Sequence, residues 1–264
     1  MGRVSVGHKI INITSASSRG VAVTQLIATL CAFYALAMHV HSALWWLSLA
    51  VYFCTGCLGI TVTFHRYLCH RSFKMKRSLE YLFSFFGALG GTGSALGWVA
   101  LHRAHHQYSD QQLDPHSPVN GKFKIFFSQY NFSLNKWTVR DMIADPFHRY
   151  VHGYYYILLL IWASVWLAIS FKLFLFVVAV PMALQIWISS ISNCVNHMLG
   201  YRNFETADHS TNNAIVALLS WGEGWHNNHH KYPSNWSFQV KWWEFDISSF
   251  VIRLIRTGGS HKRA

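Results

Sequence analysis

The chain has 264 residues, of which 52% are hydrophobic and only 12% are charged. Soluble domains carry about a quarter charged residues, and disordered chains have low hydrophobicity, so this composition argues against both classes. The 22 Lys and Arg exceed the 10 Asp and Glu, which gives a net charge of +12. In a soluble protein that charge suggests nucleic-acid binding, but in an apolar chain it must first be tested as the charge of cytoplasmic loops.

Four apolar segments follow a polar stretch that lacks the pattern of a cleavable signal peptide. Each has close to the roughly 20 apolar residues that a membrane-spanning helix needs. Their short connections predict two helical hairpins. The predicted spans cover residues 20–40, 43–64, 153–171 and 173–195.

A fifth apolar segment, residues 79–101, is rich in glycine, and hydropathy alone does not decide whether it spans. If only the two hairpins span, one face holds both termini, residues 65–152 and 197–264, and every Lys and Arg except Lys172. That excess is expected of the cytoplasmic side. We therefore predict an all-α integral membrane protein that forms one domain over residues 1–264. It has four spans, an interfacial helix over 79–101, cytoplasmic termini and a cytoplasmic helical cap.

Three histidine clusters fall on the predicted cytoplasmic face. In the second and third, the i, i+3, i+4 spacing places three imidazoles on one side of a helix. Two such triplets on one face of a membrane protein predict metal ligation. The clusters are His65 and His70; His102, His105 and His106; and His226, His229 and His230.

The first cluster has a different geometry. His65 and His70 are five residues apart, about 140° around an ideal α-helix, so one straight helix cannot aim both at one point. We predict that the second span ends near His65 and that the helix breaks between Phe64 and Arg71. Eight imidazoles exceed the four that one structural zinc takes, so the pattern predicts two metals in the cap. Imidazole suits Zn, Cu, Fe and Ni alike.

Metal-binding histidines need acceptors for their second nitrogen, and Asp110, Asp114 and Glu223 lie close to the clusters in sequence. Solvated loop carboxylates are the equally open alternative. Other histidines have weaker interpretations. We expect an interfacial band at His148 and His152, a position on the opposite face for His39 and His41, and cap positions near the site, but no ligation, for His116 and His209.

The order H-x4-H, H-x2-H-H, H-x2-H-H resembles the membrane fatty acid desaturases, which hold a di-iron site on histidines. The flanks agree over TFHRYLCHRSF, WVALHRAHH, DPH, GEGWHNNHH and WWE. Similarity runs from about residue 20 to 257 and is closest to the Δ9-type branch of acyl-CoA and acyl-lipid enzymes. That branch adds a ligand in an Asn-x3-His pattern, matched by Asn193 and His197. The resemblance thus implies nine histidine ligands, with Asn193 reaching the metal through water.

The resemblance also implies O2-dependent insertion of a cis double bond, at Δ9, into a saturated acyl chain, with two Fe2+ ions as cofactor. An apolar tunnel would hold the chain, with Trp98 in its wall and Leu49 or Phe53 at its end. An interfacial position is the alternative for Trp98. The substrate is an acyl-lipid or acyl-CoA, and Ala100-Leu101, where animal acyl-CoA members carry Arg-Asp, favours the lipid.

Without a His-Pro-Gly-Gly haem motif, a separate donor is expected to bring electrons, either ferredoxin or cytochrome b5 with its reductase. The lipid bilayer is a further expected partner, and nucleic acid is not. A related di-iron hydroxylase or ketolase acting on a lipid is the main alternative. A metal transporter is disfavoured because it needs polar ligands at the bilayer midplane, whereas these histidines lie at the ends of the spans.

Overall fold

A computed structural model describes residues 18–128 and 136–258. Within these ranges the chain is helical, without strands, and only isolated β-bridges join extended segments. One-turn helices at Lys122–Phe126 and Arg140–Ile143 connect the longer elements. The longer helices are α1 (Ser18–His39), α2 (Leu44–Cys69), α3 (Arg77–Leu89), α4 (Ala95–Tyr108), α5 (Pro146–Gly153), α6 (Tyr155–Ile169), α7 (Phe171–Val195), α8 (Ala214–Leu219), α9 (His226–Lys231) and α10 (Ile247–Ile255).

Three of these helices, α1, α2 and α7, are long and apolar enough to cross a membrane. They coincide with three predicted spans. The fourth predicted span corresponds to α6, which passes the same test only when joined to α5, and the two are bent by 70° at Tyr154. Asp145 caps α5 by accepting from the Phe147 N–H at 2.8 Å. By length and composition, the described part of the chain therefore holds three candidate spans, or four with the bent pair.

Helix α2 does not end near His65 as predicted. From Phe53 to Cys69 it is a π-helix, in which hydrogen bonds join residues five apart. The His70 N–H accordingly donates to the His65 carbonyl oxygen at 3.1 Å. The two histidines thus lie about one turn apart, with ring centroids separated by 4.9 Å. The wider turn brings the two histidines together, and the helix ends at Cys69, within the interval from Phe64 to Arg71 in which the break was predicted.

The predicted single helix over residues 79–101 is wrong. The chain forms α3 and α4 with a turn between them, because Gly91 adopts a φ of +84°, which side chains other than glycine rarely tolerate. Ser94 begins α4 by accepting from the Gly97 N–H at 3.4 Å. This turn redirects the chain so that α4, which carries the second histidine triplet, packs against α2 through Phe64 and Leu96.

Part of the predicted cap lies beside α2 rather than beyond its end. Ser248 of α10 is 3.6 Å from Cys57 Sγ, and the Tyr52 hydroxyl donates to the Leu219 carbonyl oxygen of α8 at 2.6 Å. Both short helices expose apolar side chains on their outer faces. An exposed apolar surface of this kind is typical of membrane or protein contact. These side chains are Ile215 (72% exposed), Leu218 (68%), Phe250 (63%) and Leu254 (72%).

Helices α2 and α3 cross where two glycines meet. A Cβ atom on Gly59 would lie 2.3 Å from the Gly87 backbone nitrogen, so nothing larger than hydrogen fits unless the helices separate. We expect Gly59→Ala to destabilise the protein by about 1–3 kcal/mol, the usual cost of overpacking. The thermal unfolding midpoint of the detergent-solubilised protein measures this. Gly153→Ala is the control, because a Cβ there meets nothing within 4 Å. Equal midpoints for the two variants would contradict the tight crossing.

Candidate metal centre

Four parts of the fold bring nine histidines together: the end of α2, helix α4, the segment directly after α7 that contains His197, and helix α9. Their ring nitrogens form two groups, each close enough to hold one metal ion. We call them the five-histidine cluster and the four-histidine cluster. The first contains His65, His70, His102, His106 and His229, and the second contains His105, His197, His226 and His230.

Each H-x2-H-H triplet is divided between the two clusters. On α4, His102 and His106 lie four residues apart and face the five-histidine cluster, whereas His105 faces the other. On α9 the division is reversed: His226 and His230 face the four-histidine cluster. Each of the two short helices therefore contributes ligands to both sites, because the i, i+4 pair and the intervening histidine point to different sides.

Opposed lone pairs show that the four-histidine cluster fits a cation. His105 Nδ1 lies 2.8 Å from Asp114 and His230 Nδ1 lies 2.5 Å from Asp208. A carboxylate only accepts, so both Nδ1 atoms carry the hydrogen and both Nε2 atoms carry a lone pair. Those two Nε2 atoms nevertheless lie 3.3 Å apart. Two nitrogens bound at right angles, each about 2.1 Å from one ion, are about 3.0 Å apart, so a metal accounts for the spacing.

The same crowding recurs at the five-histidine cluster. His229 Nε2 lies 3.0 Å from His65 Nε2 and 2.9 Å from His106 Nε2, which is itself 3.1 Å from His102 Nε2. A neutral His229 has a single N–H, so at Nε2 it can donate fully to only one of its two neighbours, His65 or His106. The spacing of the four nitrogens is again that of ligands around one ion.

All three carboxylates expected to support the histidines do contact them. Asp110 lies 2.9 Å from His197 Nδ1, and Asp114 and Glu223 contact His105 and His65. Asp208 was missed, because it lies in a loop 22 residues before His230. The scarcity of acids, ten in the chain, is the one signal that could have drawn attention to it.

Burial keeps the imidazoles of the cap in the neutral form that binds metals. It lowers the pKa of each, and repulsion between neighbouring rings lowers it further. This holds for His102, His105, His106, His226 and His229.

The pKa values of two of the carboxylates are shifted in opposite directions. Burial acts to raise the pKa of Asp110, but hydrogen bonds from His197 and Ser117 outweigh it and hold that pKa at about 2. At Asp114 burial dominates and raises the pKa to about 6.

The other histidines of the described residues lie outside the two clusters. His116 stacks on His105 with centroids 4.3 Å apart, and His209 is an exposed side chain whose backbone N–H donates to Asp110 at 2.7 Å. His152 Nδ1 pairs with Ser94. His148 is not part of an interfacial band, because it is buried and its Nε2 lies 3.0 Å from a Glu80 oxygen.

A buried arginine supports the five-histidine cluster from behind. Arg66 donates to Asp246 at 2.7 Å, to the Trp236 carbonyl oxygen at 2.9 Å and to Glu223 at 3.3 Å. The Phe238 ring covers the guanidinium at 3.8 Å. Since Glu223 contacts His65, this network connects the ligand of α2 to the loop before α10.

A cavity adjoins both clusters, with His65, His102 and His226 in its wall. Trp98 lies in the wall as expected, stacked on His102 with centroids 4.8 Å apart, and Asn193 lines it too. The described wall includes Tyr52 but neither of the residues expected to close the tunnel. Leu49 points outward and is 44% exposed, and Phe53 packs against Trp221 instead.

Comparison with known proteins defines the class. The fatty acid desaturase family model matches residues 41–247. The chain therefore belongs to the fatty acid desaturase family, and it is an oxidoreductase of lipid metabolism.

The names of the similar proteins specify different substrates and different double-bond positions. An acyl-CoA C20 Δ5-desaturase of Anemone leveillei is 36% identical over 80% of this chain and 70% of its own length. A chloroplastic palmitoyl-monogalactosyldiacylglycerol Δ7 desaturase of Arabidopsis thaliana is 37% identical over 79% of this chain and 58% of its own. An sn-1 stearoyl-lipid 9-desaturase of Anabaena variabilis is 33% identical over 80% of both chains.

The buried network gives a stability prediction. Arg66→Met leaves the Asp246 carboxylate buried without its cation, which costs about 3–5 kcal/mol. Arg71→Met is the matched control, because Arg71 is 65% exposed where it pairs with Asp141, and exposed pairs contribute at most about 1 kcal/mol. Thermal unfolding in detergent compares the two. Similar losses of stability would show that the buried pair has no special weight.

Proposed function

We propose that this desaturase binds two iron ions, one in each histidine cluster, and uses O2 to introduce a cis double bond into a saturated acyl chain. One observation carries the metal assignment above the others: His105 and His230 direct lone pairs at each other across 3.3 Å while both donate to carboxylates. Imidazole ligands suit iron, and the family is known for iron chemistry.

Iron bound in the clusters would supply the oxidising chemistry that removes two hydrogens from adjacent carbons as O2 is reduced to two waters, with two electrons from a separate donor and two protons from solvent. The chain's own residues would orient the histidine ligands and the substrate, and would exclude water. Asp110, Asp114, Asp208 and Glu223 fix the ring orientation of their histidines through Nδ1. Trp98, stacked on His102, is placed to hold a hydrocarbon chain against the five-histidine cluster and keep water away. Asn193 would reach the metal through water.

The substrate is proposed to be a saturated acyl-lipid desaturated at Δ9. Ala100-Leu101 in place of a charged pair supports a lipid over CoA. The names of the relatives include positions 5, 7 and 9, so Δ9 rests on the resemblance of the flanks. For the wall of the tunnel we propose Trp98 and Tyr52, in place of Leu49 and Phe53.

The proposed topology has four spans, with α5 and α6 forming the third as a bent pair. Both termini and the metal centre lie in the cytoplasm, in one domain. The support is the position of Lys172, the single Lys or Arg between the last two spans, while all others fall on the opposite side. Helices α8 and α10 would then contact lipid from the cytoplasmic side through their exposed apolar faces.

Expression in a desaturase-deficient host tests the function. With iron and an electron-donor system present, we expect a new monounsaturated acid in the total fatty acids, its double bond located by mass spectrometry at Δ9. His102→Ala removes a proposed ligand and should abolish the product, whereas the control His41→Ala, exposed and outside both clusters, should not. A product at another position would overturn Δ9. Full activity of His102→Ala would remove the metal assignment.

A further inference from the structure

The two histidine clusters are supported by different numbers of carboxylates. Three aspartates contact the four-histidine cluster: Asp114 at His105, Asp110 at His197 and Asp208 at His230. Among the described residues, one carboxylate, Glu223, contacts a histidine of the five-histidine cluster. The cluster with fewer imidazoles therefore has more negative charge behind it.

The compensation of that charge is also unequal. Glu223 is paired with the guanidinium of Arg66 at 3.3 Å. By contrast, within the described ranges the three aspartate carboxylates contact histidines, hydroxyls and backbone N–H groups. Asp110 accepts from Ser117 and the His209 N–H, Asp114 accepts from the N–H groups of Asp110 and His116, and Asp208 accepts from Thr206 and Ser210.

Among the described residues, the cation Arg202 lies near this side but does not contact the carboxylates. Arg202 donates to the backbone oxygens of Phe204, Thr206 and Asp208, and to the Thr206 hydroxyl. Its guanidinium therefore organises the loop that carries Asp208 and forms no salt bridge with that side chain. The negative charge of Asp208 remains directed at His230 Nδ1.

This asymmetry has a direct consequence for cation binding. A carboxylate that accepts from Nδ1 makes the opposite nitrogen a stronger ligand, and losing such a partner typically lowers metal affinity about 10–100-fold. Buried charge of opposite sign attracts a dication strongly, because little water screens it. The fifth imidazole favours the other cluster, but the positive charge of Arg66 offsets the single carboxylate there.

We infer that the two sites load in order: the four-histidine cluster binds the first and tighter divalent cation, and Asp208 is a positioning residue for that step. This inference rests on the two-metal centre proposed above. Asp208 holds His230 in the tautomer whose lone pair faces the cluster and adds a negative charge that no arginine or lysine side chain pairs with in the described structure.

Titration of the metal-free full chain in detergent with Co2+ tests the order, with calorimetry for affinity and visible absorption for coordination. The wild type should bind two equivalents in two steps. Asp208→Asn keeps an acceptor for Nδ1 and removes the charge, so it should weaken the first step about 10–100-fold and leave the second unchanged. Glu223→Gln, the matched control at the other cluster, should weaken only the second step.

Further variants assign each binding step to one cluster and provide a replacement if a variant does not fold. His230→Ala should remove the first step and His70→Ala the second, and Asp110→Asn should repeat the effect of Asp208→Asn if the latter does not fold. Equal affinities, or an exchange of the two steps between the Asp208 and Glu223 variants, would overturn the loading order while leaving the two-metal centre intact. Binding of no Co2+, or of a single equivalent, would contradict the two-metal centre itself.

Discussion

The metal centre depends on one kind of contact, the hydrogen bond from a histidine Nδ1–H to a carboxylate. It fixes the tautomer of His105, His197 and His230, and thereby turns their Nε2 lone pairs inward. The inward nitrogens then approach to about the spacing of ligands around one ion, 3.3 Å for His105 and His230. Without an ion, such an arrangement of like lone pairs is repulsive, and the surrounding helices must hold it in place.

The scaffold supplies that rigidity at the end of α2. Its π-helical hydrogen bonding brings His65 and His70 to the same side, and the neighbouring Arg66 is held by Asp246, which also caps α10. Because α10 lies beside α2 at the level of Cys57, the ligands of the five-histidine cluster are coupled to a helix with an apolar outer face. The packing of α10 against α2 is thus connected to the five-histidine cluster through Arg66.

Much of this could be predicted from sequence, because long apolar runs and histidine spacing are direct signals. The helices of all four predicted spans and eight of the nine clustered histidines appear where those patterns indicated, and the ninth, His197, appears where the family resemblance placed it. The π-helix could not be predicted, since a uniformly apolar run carries no periodicity to distinguish hydrogen bonds over four residues from those over five. For the same reason, the sequence did not indicate that Leu49 faces outward rather than into the cavity. The role of Asp208 depends on a contact across 22 residues, which local spacing does not encode.

The central claim is that each histidine cluster holds one iron ion. Anomalous X-ray diffraction at the iron absorption edge, from crystals of protein purified with iron, measures this most directly. The account predicts two anomalous peaks per chain, one surrounded by the ring nitrogens of His65, His70, His102, His106 and His229 and the other by those of His105, His197, His226 and His230. A single peak between the clusters, or peaks away from these nitrogens, would contradict it.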